Sequence, residues 1–396
     1  MTMEKFSMRR KVMKKNYNQY LIFISTTFFM FSVAGTRPLV PLFSSQLGAS
    51  NMQIGIIVSL FSLLPLFLSI RLGKIVDKVG SKVPLIIAIT LGGFSLIVPY
   101  IFYNLGGVHA SQIISGLSQV LYVISMQAYI GSFSKSKIRD YYINIFSISV
   151  AFGSFIGPLI GGFLSDKIGY STTLAILGLI LFLSLPSIAL FEKSRKREVK
   201  APEEKKVQSF DLLLIPELRK AFLISAIVLL SKDIYIAFFP LLASSSGVSN
   251  SLIGIIISLN AGAGILIRVI LPLLVKMYDR SFIISISIVV AGSIYLIYPL
   301  FSNVYMLGFL SFILGLSMGV GQPLAISSTI SLLPEQRVGE GLGLRLSINK
   351  LTQFVTPVLL GAASSIVGMG GVFYISGFII MTGSINYKKF MKIIRR

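Results

Sequence analysis

The chain has 396 residues, with 54% hydrophobic and 13% charged residues and a mean hydropathy of +0.84, which excludes an ordinary water-soluble domain. Its formal net charge is +22, yet the basic residues are scattered between apolar runs along the chain rather than gathered in one polar region, so nucleic acid is not an expected partner. With no cysteine and one histidine, His109, disulfides, cysteine–zinc sites and thiol nucleophiles are excluded, and no metal or cofactor site is expected.

Twelve apolar runs are each long enough to cross ~30 Å of hydrocarbon as a helix. In chain order these spans are 18–43, 51–72, 83–103, 110–133, 140–165, 170–191, 219–243, 250–274, 282–301, 304–331, 342–367 and 371–390. Glycine and proline inside them do not veto helices, because neighbouring helices can satisfy the freed backbone groups. The basic N-terminal stretch leads into a run too long for a signal-peptide core, so span 1 is expected to stay. Lys5, Arg9, Arg10, Lys11, Lys14 and Lys15 precede span 1, Lys74, Lys78 and Lys82 follow span 2, and Lys135, Lys137 and Arg139 follow span 4. Between Lys193 and Lys206 lie more, and Lys276, Arg280, Arg337 and the tail continue the pattern, whereas Lys167 is the one basic residue of the alternate loops. This asymmetry predicts both termini in the cytoplasm of a multi-pass cell-membrane protein, with lipid as its solvent.

Pro41 to Leu60 (PLFSSQLGASNMQIGIIVSL) and Pro240 to Leu259 (PLLASSSGVSNSLIGIIISL) share 12 of 20 positions at an offset of 199 residues. The repeat divides the chain into six-span halves, 1–191 and 219–396, joined by a polar cytoplasmic linker, 192–218. Within the linker region, a short amphipathic piece, 210–215, is expected to lie on the membrane surface. Two similar membrane halves usually enclose a substrate site between them, which predicts a transporter of a small molecule. No catalytic cluster supports an enzyme, and no phosphate loop supports ATP drive.

Gly153, Gly157, Pro158, Gly161 and Gly162, in GSFIGPLIGG, match the G-x-x-x-G-P-x-x-G-G signature of span 5 in the major facilitator superfamily. Gly73, Asp77, Lys78, Gly80 and Lys82, in GKIVDKVGSK, match its loop 2–3 pattern. Over its whole length the chain thus resembles that superfamily, and its drug/proton antiporter branch in particular. The resemblance implies an all-α bundle of twelve helices in two pseudo-symmetric halves, monomeric, exporting small amphipathic compounds against proton entry. It further implies a latch in which Asp77 faces the start of span 11 near Gly341 in the outward-facing state. The second copy of the loop pattern, PLLVKMYDRS, places Lys276 where the acid stands. The family's span 4 arginine is replaced by Gln112, four residues before Gly116.

A charge within hydrocarbon costs ~2.5–3.5 kcal/mol even on lenient insertion scales, so such residues face a partner or a cavity. Asp233 is the one acid well inside a span, beside Lys232 on span 7. Arg37 on span 1 falls within a helical turn of Asp233 when the halves are superposed, so the two are expected to pair across the halves, with Asp233 as the proton site and the opposing bland reading a fixed ion pair. Arg268 is expected to snorkel to the cytoplasmic face. Gln112, Gln322 and Asn349 are the candidate cavity contacts. A metabolite importer or facilitator, for a sugar or an organic acid, is the alternative function.

Overall fold

The computed structural model describes residues 2–133, 136–191, 209–333 and 337–394, which are helical with no strand among them. Span 1 is formed by α1 (Thr2–Thr36) and α2 (Leu39–Gln46), spans 2 to 5 by α3 (Asn51–Val79), α4 (Lys82–Ile101), α5 (Leu105–Gly131) and α6 (Ser136–Ile168). Span 6 is α7 (Tyr170–Phe182) and α8 (Leu185–Ala189); spans 7 to 10 are α9 (Pro216–Ser245), α10 (Asn250–Met277), α11 (Arg280–Ile297) and α12 (Val304–Leu332). Spans 11 and 12 run together as α13 (Val338–Ile394), interrupted at Gly368, whose φ is 72°.

Eleven helical stretches among the described residues, rather than twelve, are long and apolar enough to cross a membrane. The difference arises at Gly368, because no loop separates the last two spans and one glycine in the left-handed region makes the junction. Gly169 (φ 78°) stands 199 residues earlier, where α6 meets α7. The same offset relates Gly48 (φ 83°) to Gly247 (φ 80°), and Ser50, which caps α3, to Ser249, which caps α10. Each serine hydroxyl satisfies an N–H of the first helical turn, so the two copies end their loops by the same capping chemistry. The repeat read from 20 residues therefore extends to the backbone of both halves.

Each half has its own apolar core. One gathers Phe29, Leu85, Ile89, Tyr122 and Leu181; the other gathers Phe238, Phe239, Tyr295, Tyr298 and Phe373, and is joined by Leu42 and Ile54 from the first half. Most of the linker, 192–208, lies outside the described residues. The piece expected on the membrane surface forms a 3₁₀ turn, Ser209–Leu214, that docks on the second half. Leu212 is buried there against Leu218, Phe222 and Leu333. Arg337 seals the arrangement by donating from Nη1 to Asp211 Oδ2 at 2.9 Å and from Nη2 to Oδ1 at 2.6 Å, a two-pronged contact that holds the Asp211 carboxyl below the usual range.

Candidate functional site

A cavity of about 450 Å³ lies between the halves, lined from α1, α3, α5 and α6 on one side and α9, α10, α12 and α13 on the other. Its size suits a molecule on the metabolite or drug scale. Arg37 enters it at the break between α1 and α2, where Pro38 cannot donate a backbone hydrogen bond. Its Nη2 lies 3.8 Å from Asp233 Oδ1, and its guanidinium sits 4.3 Å from the Phe61 ring centroid. Asp233 is buried, and its Oδ2 has no hydrogen-bond partner among the described residues. The two residues expected to pair across the halves are thus adjacent, at the wall of the cavity.

Other charges converge on the same space. Lys232, about 100° round the helix from Asp233, lines the cavity, is accessible, and makes neither a hydrogen bond nor an ion pair among the described residues. Arg268 also lines it, rather than reaching for the membrane surface as expected, and its Nε donates to Gly319 O at 3.2 Å. Lys350 Nζ donates to Gln353 Oε1 at 2.9 Å, and both residues line the cavity. Gln119 and Asn260 complete the polar wall. Nothing in the local sequence separates these residues from ordinary snorkelling or packing side chains; only their convergence from four helices does.

The polar candidates named from sequence fare differently. Asn349 is buried and exchanges hydrogen bonds with Ser225 at 3.2 and 3.3 Å, tying α13 to α9 instead of facing the cavity. Gln112 is buried in α5 outside the cavity wall. It stands on the same helical face as Gln119 but seven residues, ~10 Å, nearer the start of α5. The side chain of Gln322 lies outside the described residues.

The span 5 signature serves two faces of α6. Along one, Gly153, Gly157 and Gly161 let the backbone of α1 approach: a methyl group at Gly153 would stand 2.7 Å from Phe31 N, and one at Gly161 2.8 Å from Gly35 O. Along the other, Pro158 and Gly162 cross to the second half, where Gly162 faces the Asn250 carbonyl and Gly254 faces that of Pro158. The counterparts at the 199-residue offset repeat this crossing. A methyl group at Gly361 would stand 2.8 Å from Asn51 O, and Gly55 faces the Pro357 carbonyl. Two equivalent glycine seams therefore close one end of the cavity, the lysine-poor end, where α3 and α10 begin.

With this architecture in view, the Major Facilitator Superfamily model matches residues 22–223 and 221–392. The chain belongs to the major facilitator superfamily. An MFS-type transporter of Methanocaldococcus jannaschii is 26% identical over 391 residues, covering 94% of this chain and 98% of its own. The quinolone resistance protein NorA of Staphylococcus aureus strain MSSA476 is 23% identical over 367 residues, 90% of each chain. Among solved structures, a point mutant of the nucleoside transporter NupG superposes with a TM-score of 0.81 at 15% identity, covering 94% of this chain and 99% of that one. A POT family transporter in complex with a thioalcohol conjugated peptide gives 0.76 at 18% identity, covering 96% of each. The chain is thus a multi-pass membrane transporter of this superfamily.

Within the superfamily's loop 2–3 pattern, the residues are not assembled as a latch here. Nothing lies within 4 Å of a methyl group placed at Gly73, and Asp77 is exposed, with no ion pair or hydrogen bond among the described residues. Gly80 (φ 84°) ends α3, and Lys78 occupies its last turn, a favourable place for a cation. Lys82 works within its own half: Nζ donates to Ala189 O at 2.6 Å and Phe191 O at 2.9 Å at the end of span 6. The Asp77 contact is expected in the outward-facing state, whereas the lysine-poor end is closed here by an acid that sequence reasoning passes over. Asp166 Oδ1 accepts from Asn250 N at 3.0 Å, and Oδ2 accepts from Ser251 N at 2.7 Å and Ser251 Oγ at 2.5 Å. A carboxylate of one half thus caps a helix of the other. Losing such a cap costs about 0.5–2 kcal/mol, so Asp166→Ala should shift the balance roughly 2- to 30-fold toward opening at the lysine-poor end. A thiol placed at Ile257 should then react faster with an impermeant reagent added from that side; an unchanged rate removes Asp166 from closure.

Proposed function

We propose that the chain is a secondary active transporter that works by alternating access, moving a small organic compound through the cavity between its halves and drawing on the proton gradient through Asp233. The single observation that carries this reading is the contact of Asp233 with Arg37, a carboxylate of one half on a guanidinium of the other, at the wall of that cavity. Forming and breaking such a pair as the halves rock exposes the carboxylate in turn to each side of the membrane. The lysine-rich end is assigned to the cytoplasm by the positive-inside asymmetry, which makes the seam-closed arrangement inward-facing. Export of small amphipathic compounds is the direction supported by the span 5 signature and by the similarity to NorA.

Expression in a host lacking its own exporters should raise resistance to at least one toxicant, and a proton uncoupler should abolish the gain. Resistance that survives the uncoupler removes proton drive. A second reading, uptake of an organic acid, is favoured by the balance of four cations against one carboxylate in the cavity.

A further inference from the structure

The cavity's charge is the least expected feature of the molecule. Arg37, Lys232, Arg268 and Lys350 line it, and Asp233 is its single carboxylate among the described residues. Arg37 already has Asp233 and the Phe61 ring, and the hydrogen bond of Lys350 goes to a neutral group, Gln353. Among the described residues Lys232 makes no hydrogen bond or ion pair, and no carboxylate lies within ion-pair distance of Arg268. A protein interior in a membrane does not keep several unbalanced cations together unless something supplies the opposite sign. A cationic compound entering here meets repulsion from every wall except at Asp233, whereas an anion meets open donors on α9 and α10.

We propose that the cavity selects organic anions, with Lys232 and Arg268 holding a carboxylate, sulfonate or phosphate group while the apolar body of the compound lies against the aliphatic walls. The proposal rests on the reading of this cavity as the transport site. Lysine supplies a compact charge that follows a mobile ligand, and arginine supplies a planar fork matched to an oxyanion. Met30 and Met318 on the wall give an adaptable apolar surface for bodies of differing shape.

The chain has no cysteine, so Ala261→Cys places a single thiol on the cavity wall, and Tyr305→Cys places one at a fully accessible position (Tyr305 is 88% exposed). In detergent, both are reacted with the anionic sulfonatoethyl and the cationic trimethylammonioethyl methanethiosulfonates. The anionic reagent should be favoured at the cavity thiol by roughly tenfold or more relative to the control position, as expected for a focused positive field. Lys232→Gln with Arg268→Gln should erase most of that advantage. On the Ala261→Cys protein alone, naphthalene-2-sulfonate should slow labelling and tetrapropylammonium should not. Equal or reversed preference for the two reagents, or protection by the cation alone, overturns anion selection. Failure of both reagents at the cavity thiol while the control thiol reacts overturns the transport-site reading itself.

Discussion

Asp233→Asn is expected to uncouple transport from the proton gradient while leaving downhill movement of the compound intact. No second carboxylate lines the cavity among the described residues, so no neighbour can take over, and the proton flux evoked by substrate should fall roughly tenfold or more. The groups facing Asp233 are Arg37 from the break between α1 and α2, Lys350 and Gln353 from α13, Lys232 beside it, and the Tyr295 hydroxyl from α11. The sign of the linkage follows from these neighbours. An anion bound among the cations repels the Asp233 charge and competes for Arg37, so protonation of Asp233 and anion binding favour one another. Anion affinity should rise as pH falls in the native protein and become flat with pH in Asp233→Asn. Proteoliposomes loaded with a pH dye give the flux, and equilibrium binding gives the affinity. Unchanged coupling in the variant leaves Arg37 and Asp233 as a fixed ion pair. This expected sign makes proton and anion travel together and so favours the uptake reading; an affinity that falls as pH falls would restore export against proton entry, which needs the two to exclude each other.

The second large effect is expected at the glycine seam. Gly162→Val puts a branched side chain where the Asn250 carbonyl stands, with Gly254 Cα 3.1 Å from the first added carbon. Overpacking of this kind costs about 1–3 kcal/mol, and it falls only on the arrangement closed at the lysine-poor end. The population of that arrangement should drop about 5- to 150-fold, and turnover should fall with it, while folding and membrane insertion survive. Gly361→Val, at the equivalent crossing, should act in the same way, because its first added carbon meets Asn51 O and Gly55. Gly131→Ala is the control, since nothing among the described residues lies within 4 Å of the added methyl group there. Wild-type turnover in Gly162→Val shows that closure does not need the seam.

How far sequence reached is set by what each feature depends on. The paired halves are legible because a duplicated loop keeps its capping serines and left-handed glycines, which are local requirements of the backbone. Arg37 and Asp233 are legible because charges are rare in apolar spans, and the repeat supplies the superposition that brings two of them together. Arg268 and Lys350 are equally charged, but one sits near a helix end and the other among polar neighbours on span 11, where snorkelling and packing are ordinary outcomes. Asn349 shows the limit of counting polar residues: one position from Lys350, it points about 100° away and meets Ser225. The double role of GSFIGPLIGG could not be divided from sequence, since the faces of α6 acquire meaning only when α1 and α10 lie on them. Asp166 carried no signal beyond its charge, because its three donors come from the other half.

Distances between spin labels at two pairs of repeat-related positions test alternating access most directly. Ser45 and Ser244 mark the lysine-poor end, and Val79 and Tyr278 mark the lysine-rich end; all four are exposed in a chain free of cysteine. Each pair should give two populated distances, the longer of one coexisting with the shorter of the other, and lowering the pH should shift both populations in opposite directions. A single distance at each end that ignores pH, or both ends widening together, contradicts the account.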